Sequence, residues 1–87
     1  MSVTDLTEKE LRLTAALYAR TGDILEHVER TGKLPDTIKA GGGMAIGMRV
    51  VIQERGTDIT LTEKEQKVYD AIVREGRLPG GAVRLAE

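Results

Sequence analysis

The pentapeptide Leu6-Thr7-Glu8-Lys9-Glu10 recurs unchanged as Leu61-Thr62-Glu63-Lys64-Glu65. Each copy runs down to a matching terminator, Arg30-Thr31-Gly32-Lys33-Leu34-Pro35 after the first and Arg74-Glu75-Gly76-Arg77-Leu78-Pro79 after the second. The opening words are helix starts. Thr7 with Glu10, and Thr62 with Glu65, have the spacing of a capping box, in which hydroxyl and carboxylate satisfy backbone N–H groups reciprocally. The acidic side chains also favour the positive end of the helix dipole. Leu6 and Leu61 stand just before the caps, where a hydrophobic staple begins. The closing words are helix stops, because Gly32 and Gly76 suit the left-handed residue past the last turn and Pro35 and Pro79 prevent resumption. Helices are therefore predicted over about 7–31 and 62–75.

The first copy is longer by about 11 residues, or three helical turns, so the extra length preserves helical phase. Val68 and Ile72 of the short copy match Leu13 and Leu17 counted from the start of the long one, and Ile24 and Val28 counted from its end. The stripe Leu13, Leu17, Ile24, Val28 thus lies on one helical face. Arg20-Thr21-Gly22-Asp23 resembles an internal stop, with Asp23 and Glu26 as a second cap. An unbroken helix from Thr7 to Thr31 would be about 37 Å long. A domain of this size has a diameter of only about 30 Å. The long copy is therefore either kinked or broken at Gly22, or a continuous rod whose overhang a second subunit covers.

The middle of the chain reads two ways. As a helix over 43–55, Met44, Met48, Val51 and Ile52 share a face and Gly56 ends it. As strands, Met44, Ile46, Met48, Val50 and Ile52 alternate, and Ile59 and Leu61 return across a turn at Arg55-Gly56-Thr57. The β-branched run Val50-Val51-Ile52 supports the strand, whereas length and the Gly56 stop support the helix. The helix is preferred, which gives an all-α domain of three to four helices (about 7–31, 43–55 and 62–75). The alternative is α+β with a hairpin at about 48–61. One domain spans 1–87, with 77–87 reading as a flexible tail. Within that tail Val83 and Leu85 alternate around Arg84, a pattern able to add as a strand to a partner's sheet edge.

Composition narrows the functions. Among 87 residues there is no Phe and no Trp, and Tyr18 and Tyr69 are the only aromatic residues. Rings usually supply much of the buried area in small domains, so a core of aliphatic side chains is thin and self-association is an attractive remedy. Charge is balanced, 13 basic against 14 acidic side chains without a run of one sign, which disfavours non-specific binding to nucleic acid. The lack of cysteine removes disulfides, thiolate catalysis and Cys-based zinc sites. The longest uncharged stretch, Ala40–Met48, falls far short of the roughly 18 residues that span a membrane, and the first residues do not read as a signal peptide. A cytoplasmic protein is expected, with no cofactor.

Residues able to carry chemistry are sparse. The Gly41-Gly42-Gly43 run lacks the Gly-Lys-Ser/Thr that would make it a phosphate loop and reads as a turn. Gly43 and Gly47, like Ala15 and Ala19, offer small surfaces for close helix packing. His27, the sole histidine, has Asp23 one turn before it, but two ligands on one helix do not make a metal site. A nucleophile–base pair is scarcely available, so no catalytic residue is assigned and the chain is expected not to be an enzyme.

Leu61–Ile72, with its Leu-Thr-x-x-Glu start, resembles the opening helix of many helix-turn-helix regulators, and Pro35–Gly56 fits helix, glycine turn and second helix. That resemblance implies a dimeric DNA-binding transcriptional regulator, with Lys39, Arg49 and Gln53 contacting nucleic acid. The segment is nevertheless too apolar for a reader of base edges. The preferred expectation is a small helical protein–protein interaction module, an adaptor or inhibitor that docks on a larger protein or forms a homodimer. Its candidate contact residues are Leu13, Leu17, Ile24, Val28, Met44, Ile46 and Met48, the methionines because they adapt to irregular apolar surfaces. Leu17→Asp places a charge in the apolar stripe and is expected to cost several kcal/mol. Thermal unfolding and sedimentation read the effect, and an unchanged melt and assembly state would show that the stripe is not a packing face.

Overall fold

Both capping boxes form. The Thr7 hydroxyl accepts from the Glu10 N–H at 3.1 Å, and the Glu10 carboxylate accepts from the Thr7 N–H at 3.0 Å. The Thr62 hydroxyl and the Glu65 N–H are 3.3 Å apart, and Glu65 Oε1 accepts from the Thr62 N–H at 2.9 Å. In the computed structural model, which describes residues 3–36, 43–79 and 81–86, these caps start α1 (Glu8–Ala19) and α4 (Glu63–Glu75). Gly32 and Gly76 stop their helices at φ 73° and 64°, donating to the carbonyls of Val28 and Ile72.

The long copy is broken. α1 ends at Ala19, and α2 (Gly22–Thr31) starts behind Thr21, whose backbone is extended. The expected cap of Asp23 with Glu26 does not form, because Asp23 already lies inside the first turn of α2. Size gives the reason for the break. The molecule measures 29 × 28 × 26 Å, so a rod of about 37 Å would protrude, and the bend instead returns Ile24 and Val28 to the core. α3 (Gly43–Arg55) confirms the helical reading of the middle segment, and Gly56 closes it at φ 79°.

The expectation of an all-α domain is overturned by a small mixed sheet. β1 (Val3–Thr7), β2 (Arg77–Leu78) and β3 (Gly81–Ala86) lie in the order β1-β3-β2. β3 runs parallel to β1, from Val3 opposite Ala82 to Thr7 opposite Ala86, and antiparallel to β2. The class is α+β, as in the alternative reading, but the strands come from the two ends of the chain. No hairpin occupies 48–61, since the β-branched run there is helical. The strand pattern at Val83 and Leu85 is satisfied within the chain, with β3 as the middle strand. Arg84 faces Asp5 across the β1–β3 pair, donating to its carboxylate at 2.8 and 3.2 Å.

α1 is the centre of the fold. From Leu11 to Ala19 no residue of it is exposed, and it packs against α2, α3, α4, β1 and β3. The buried residues form two clusters on different sides of it. The larger joins Leu11, Ala15, Leu17 and Tyr18 to Ile24, Val28, Leu34, Val68, Ala71 and Ile72. The smaller joins Leu13 and Ala16 to Val51 and Ile59, with Met48 and Leu61 half-buried against it. The stripe read from the sequence therefore divides: Leu17, Ile24 and Val28 enter one cluster and Leu13 the other. Ile72→Ala empties a site that is 1% exposed and is expected to cost about 3 kcal/mol. Its exposed neighbour Val73→Ala is expected to stay within about 0.5 kcal/mol. Urea unfolding of the two variants checks the contrast.

Candidate functional site

The contact residues expected from the sequence separate by burial. Leu13, Leu17, Ile24 and Val28 are all buried inside the monomer and hold its helices to one another. Met48 is half-buried and touches both clusters. Ile46 is the exception, 66% exposed on α3. The Met44 side chain and all of Lys39 lie outside the described residues, as does the proposed turn at Gly41 and Gly42.

α3 owes this exposure to its sequence. It is apolar on most of its circumference, yet among its described residues Val51 alone is buried. Ile46, Arg49, Val50 and Gln53 fall at i, i+3, i+4 and i+7 and share the side turned from α1. There Ile46, Arg49 and Gln53 are exposed and Val50 is half-buried. Gly47 faces inward, where an added Cβ would stand 2.7 Å from Leu17 Cδ1. The close-packing role expected for this glycine is thus met against α1 of its own chain.

Charged side chains tie the loops to this frame in a way the sequence did not disclose. Glu65, 6% exposed, caps α4 and also receives both Nη atoms of Arg55 from the end of α3, Nη2 to Oε1 at 3.0 Å. Arg55 Nη2 donates at the same distance to the Thr60 carbonyl. The loop between α3 and α4 is thereby closed by one guanidinium. The Arg55 guanidinium holds the Glu65 carboxyl below its ordinary range, assisted by the Thr62 N–H and hydroxyl and opposed by burial. Glu10, its counterpart in the first repeat, is lowered by the Thr7 backbone and hydroxyl alone.

The two terminators of the repeat meet in space. The Leu34 N–H donates to Glu75 Oε2 at 2.8 Å, and Arg77 Nη2 donates to the Leu34 carbonyl at 2.8 Å. Arg77 also pairs with Glu75 at 3.0 Å, and Arg74 donates to the Gly32 carbonyl. The charges of Arg74-Glu75-Gly76-Arg77 thus clasp the backbone at 32–35, while Leu34 fills the core beside half-buried Leu78. The matched spelling of the two stops was the available signal, but it did not say that they touch.

Two shallow depressions lie beside these elements. One, of about 220 Å³, is lined by Thr4, Tyr18, Leu78, Pro79 and residues 81–83. The other, of about 280 Å³, is lined by Arg12, Ile59, Thr60, Leu61 and Gln66. Both are smaller than the roughly 300 Å³ at which ligand pockets usually begin. Burial raises the Tyr18 phenol above its ordinary pKa. His27 and Asp23 acquire no third ligand: among the described residues no group of three metal-binding side chains occurs. Comparison of the chain with family models, curated proteins and solved structures finds no match.

The Glu65 clasp has a pH signature. Its native pKa lies below the unfolded value, so its stabilisation is complete at neutral pH and is lost as pH falls from about 5 through the depressed native value. Glu65→Gln leaves the Arg55 guanidinium without its anion and is expected to cost about 2 kcal/mol at pH 7, as for a charge-assisted hydrogen bond. The gap from wild type should narrow progressively below about pH 5. Melting curves recorded from pH 7 to pH 3 measure it, and a gap independent of pH would rule out a paired carboxylate.

Proposed function

We propose that this chain is a small non-enzymatic interaction module that docks on another protein or on itself through the outward side of α3. The observation that carries the reading is the exposure of Ile46, 66%, beside half-buried Val50 on a helix that seats only one described side chain fully in the core. A helix apolar around most of its circumference is ordinarily covered on more than one side. Its polar neighbours Arg49 and Gln53 would form the rim of such a contact, in keeping with the apolar centre and polar edge of protein interfaces.

The composition supports the same conclusion. With no Phe or Trp, the chain spends its aliphatic residues on two small clusters, and an adaptor or inhibitor completed by a partner is a physically economical use of such a frame. A cytoplasmic setting, in keeping with a composition that has no cysteine, remains part of this proposal. Binding of duplex DNA by Arg49 and Gln53 is the competing reading.

Ile46→Glu places a charge at the proposed contact while leaving both clusters intact. In affinity capture from native lysate with nuclease present, wild type is expected to retain a stoichiometric protein, or to show concentration-dependent self-association by sedimentation. The variant is expected to lose at least about tenfold in affinity, on the order of the 1.4 kcal/mol or more of an interface anchor, with its helical circular dichroism unchanged. Undiminished binding by the variant would remove α3 as the contact. A bound species lost on nuclease treatment would favour the DNA-binding reading.

A further inference from the structure

Each helix other than α3 is held by the large cluster. α2 and α4 pack on α1 and on each other, and the sheet closes against α1 and α4. The backbone of α3 approaches α1 alone among the regular elements. Among the described side chains, its apolar attachment is the small cluster of Leu13, Ala16, Val51 and Ile59, with Met48 reaching across to the large one and Gly47 lying against Leu17. Among the described residues its remaining ties run through side chains: Arg55 to Glu65 and to the Thr60 carbonyl, and Arg20 to Glu54 at 3.2 Å. The Arg20–Glu54 pair is solvent-exposed and contributes little.

Removing α3 from this arrangement would leave the large cluster with all its described neighbours except Met48 and would uncover one side of α1. Cooperative units in proteins follow such divisions, since a segment with few buried contacts opens at lower free energy than the core it rests on. We propose that α3 is a hinged cover: it lifts from α1 as a unit, with the 56–61 loop, while α1, α2, α4 and the sheet stay folded. Lifting bares an apolar slot made by Leu13, Ala16 and Leu17. Leu13 and Leu17, which the sequence marks as contact residues, become accessible in that state. The slot is shaped for its cover, because the helix lying over Leu17 carries glycine at the point of contact, Gly47.

Native-state hydrogen exchange on the whole chain tests it. Amides within 48–54 are expected to exchange at least about tenfold faster than buried amides of α1 and α4. Val51→Ala, which trims the cover and not the large cluster, is expected to speed exchange in 48–54 by about a further tenfold while α1 and α4 keep their wild-type rates. A single shared rate for all three helices in the wild type would overturn the proposal. So would a Val51→Ala variant in which all three accelerate together, including one that fails to fold.

Discussion

Burial of α1 on nearly all sides is the constraint on which the rest of this structure depends. A helix can be approached from several directions at once only where its side chains are short, and Ala15 and Ala16 supply that, each with no accessible surface. Ala15 belongs to the cluster shared with α2 and α4, and Ala16 to the one shared with α3. A larger side chain at either point would push a neighbour away and open space that this chain, without Phe or Trp, has no ring to fill. The break before α2 follows from the same geometry. Ile24 and Val28 reach the core beside Val68 and Ile72 because the chain turns back at Thr21.

What was legible in the sequence was local. Thr7 with Glu10, Thr62 with Glu65, and the stops at Gly32, Gly56 and Gly76 all mark helix ends through interactions within a few residues, and each is present. The sheet was hidden because its strands are remote. Asp5 and Arg84, paired across β1 and β3, stand 79 positions apart, and neither strand has a hairpin turn joining it to the other. What buries the apolar stripe was hidden for a related reason. Periodicity identified Leu13, Leu17, Ile24 and Val28 as one apolar face, but it carries no information on whether that face meets the same chain or another. Among the described side chains of the expected contact residues only Ile46 lies well exposed, and α3 has an excess of apolar surface that a helical wheel drawn from Met44 to Ile52 already contained.

The repeated words acquire a meaning that pairwise similarity did not announce. Glu10 and Glu65 cap their helices alike, yet only Glu65 is reached by an arginine, since only the second helix has the end of α3 beside its first turn. The stops differ in the same fashion: Gly32 and Leu34 offer backbone groups, and Arg74, Glu75 and Arg77 receive them. Duplicated signals therefore serve complementary ends of one clasp. These polar ties fix the loops around a core whose described aliphatic packing is unevenly divided, a larger cluster joining α1, α2 and α4 and a smaller one joining α1 to α3.

That unequal division is the central claim, and the chain carries its own reporters for it. Tyr18 lies in the large cluster and Tyr69 packs against it, so tyrosine fluorescence follows the large cluster, whereas far-ultraviolet circular dichroism also counts the 13 residues of α3. A urea titration read by both signals on the same sample is the most direct measurement. Release of α3 ahead of the core lowers the helical signal before the fluorescence changes, and the two transitions separate. Coincident transitions with one midpoint would contradict the division and make the domain a single cooperative unit.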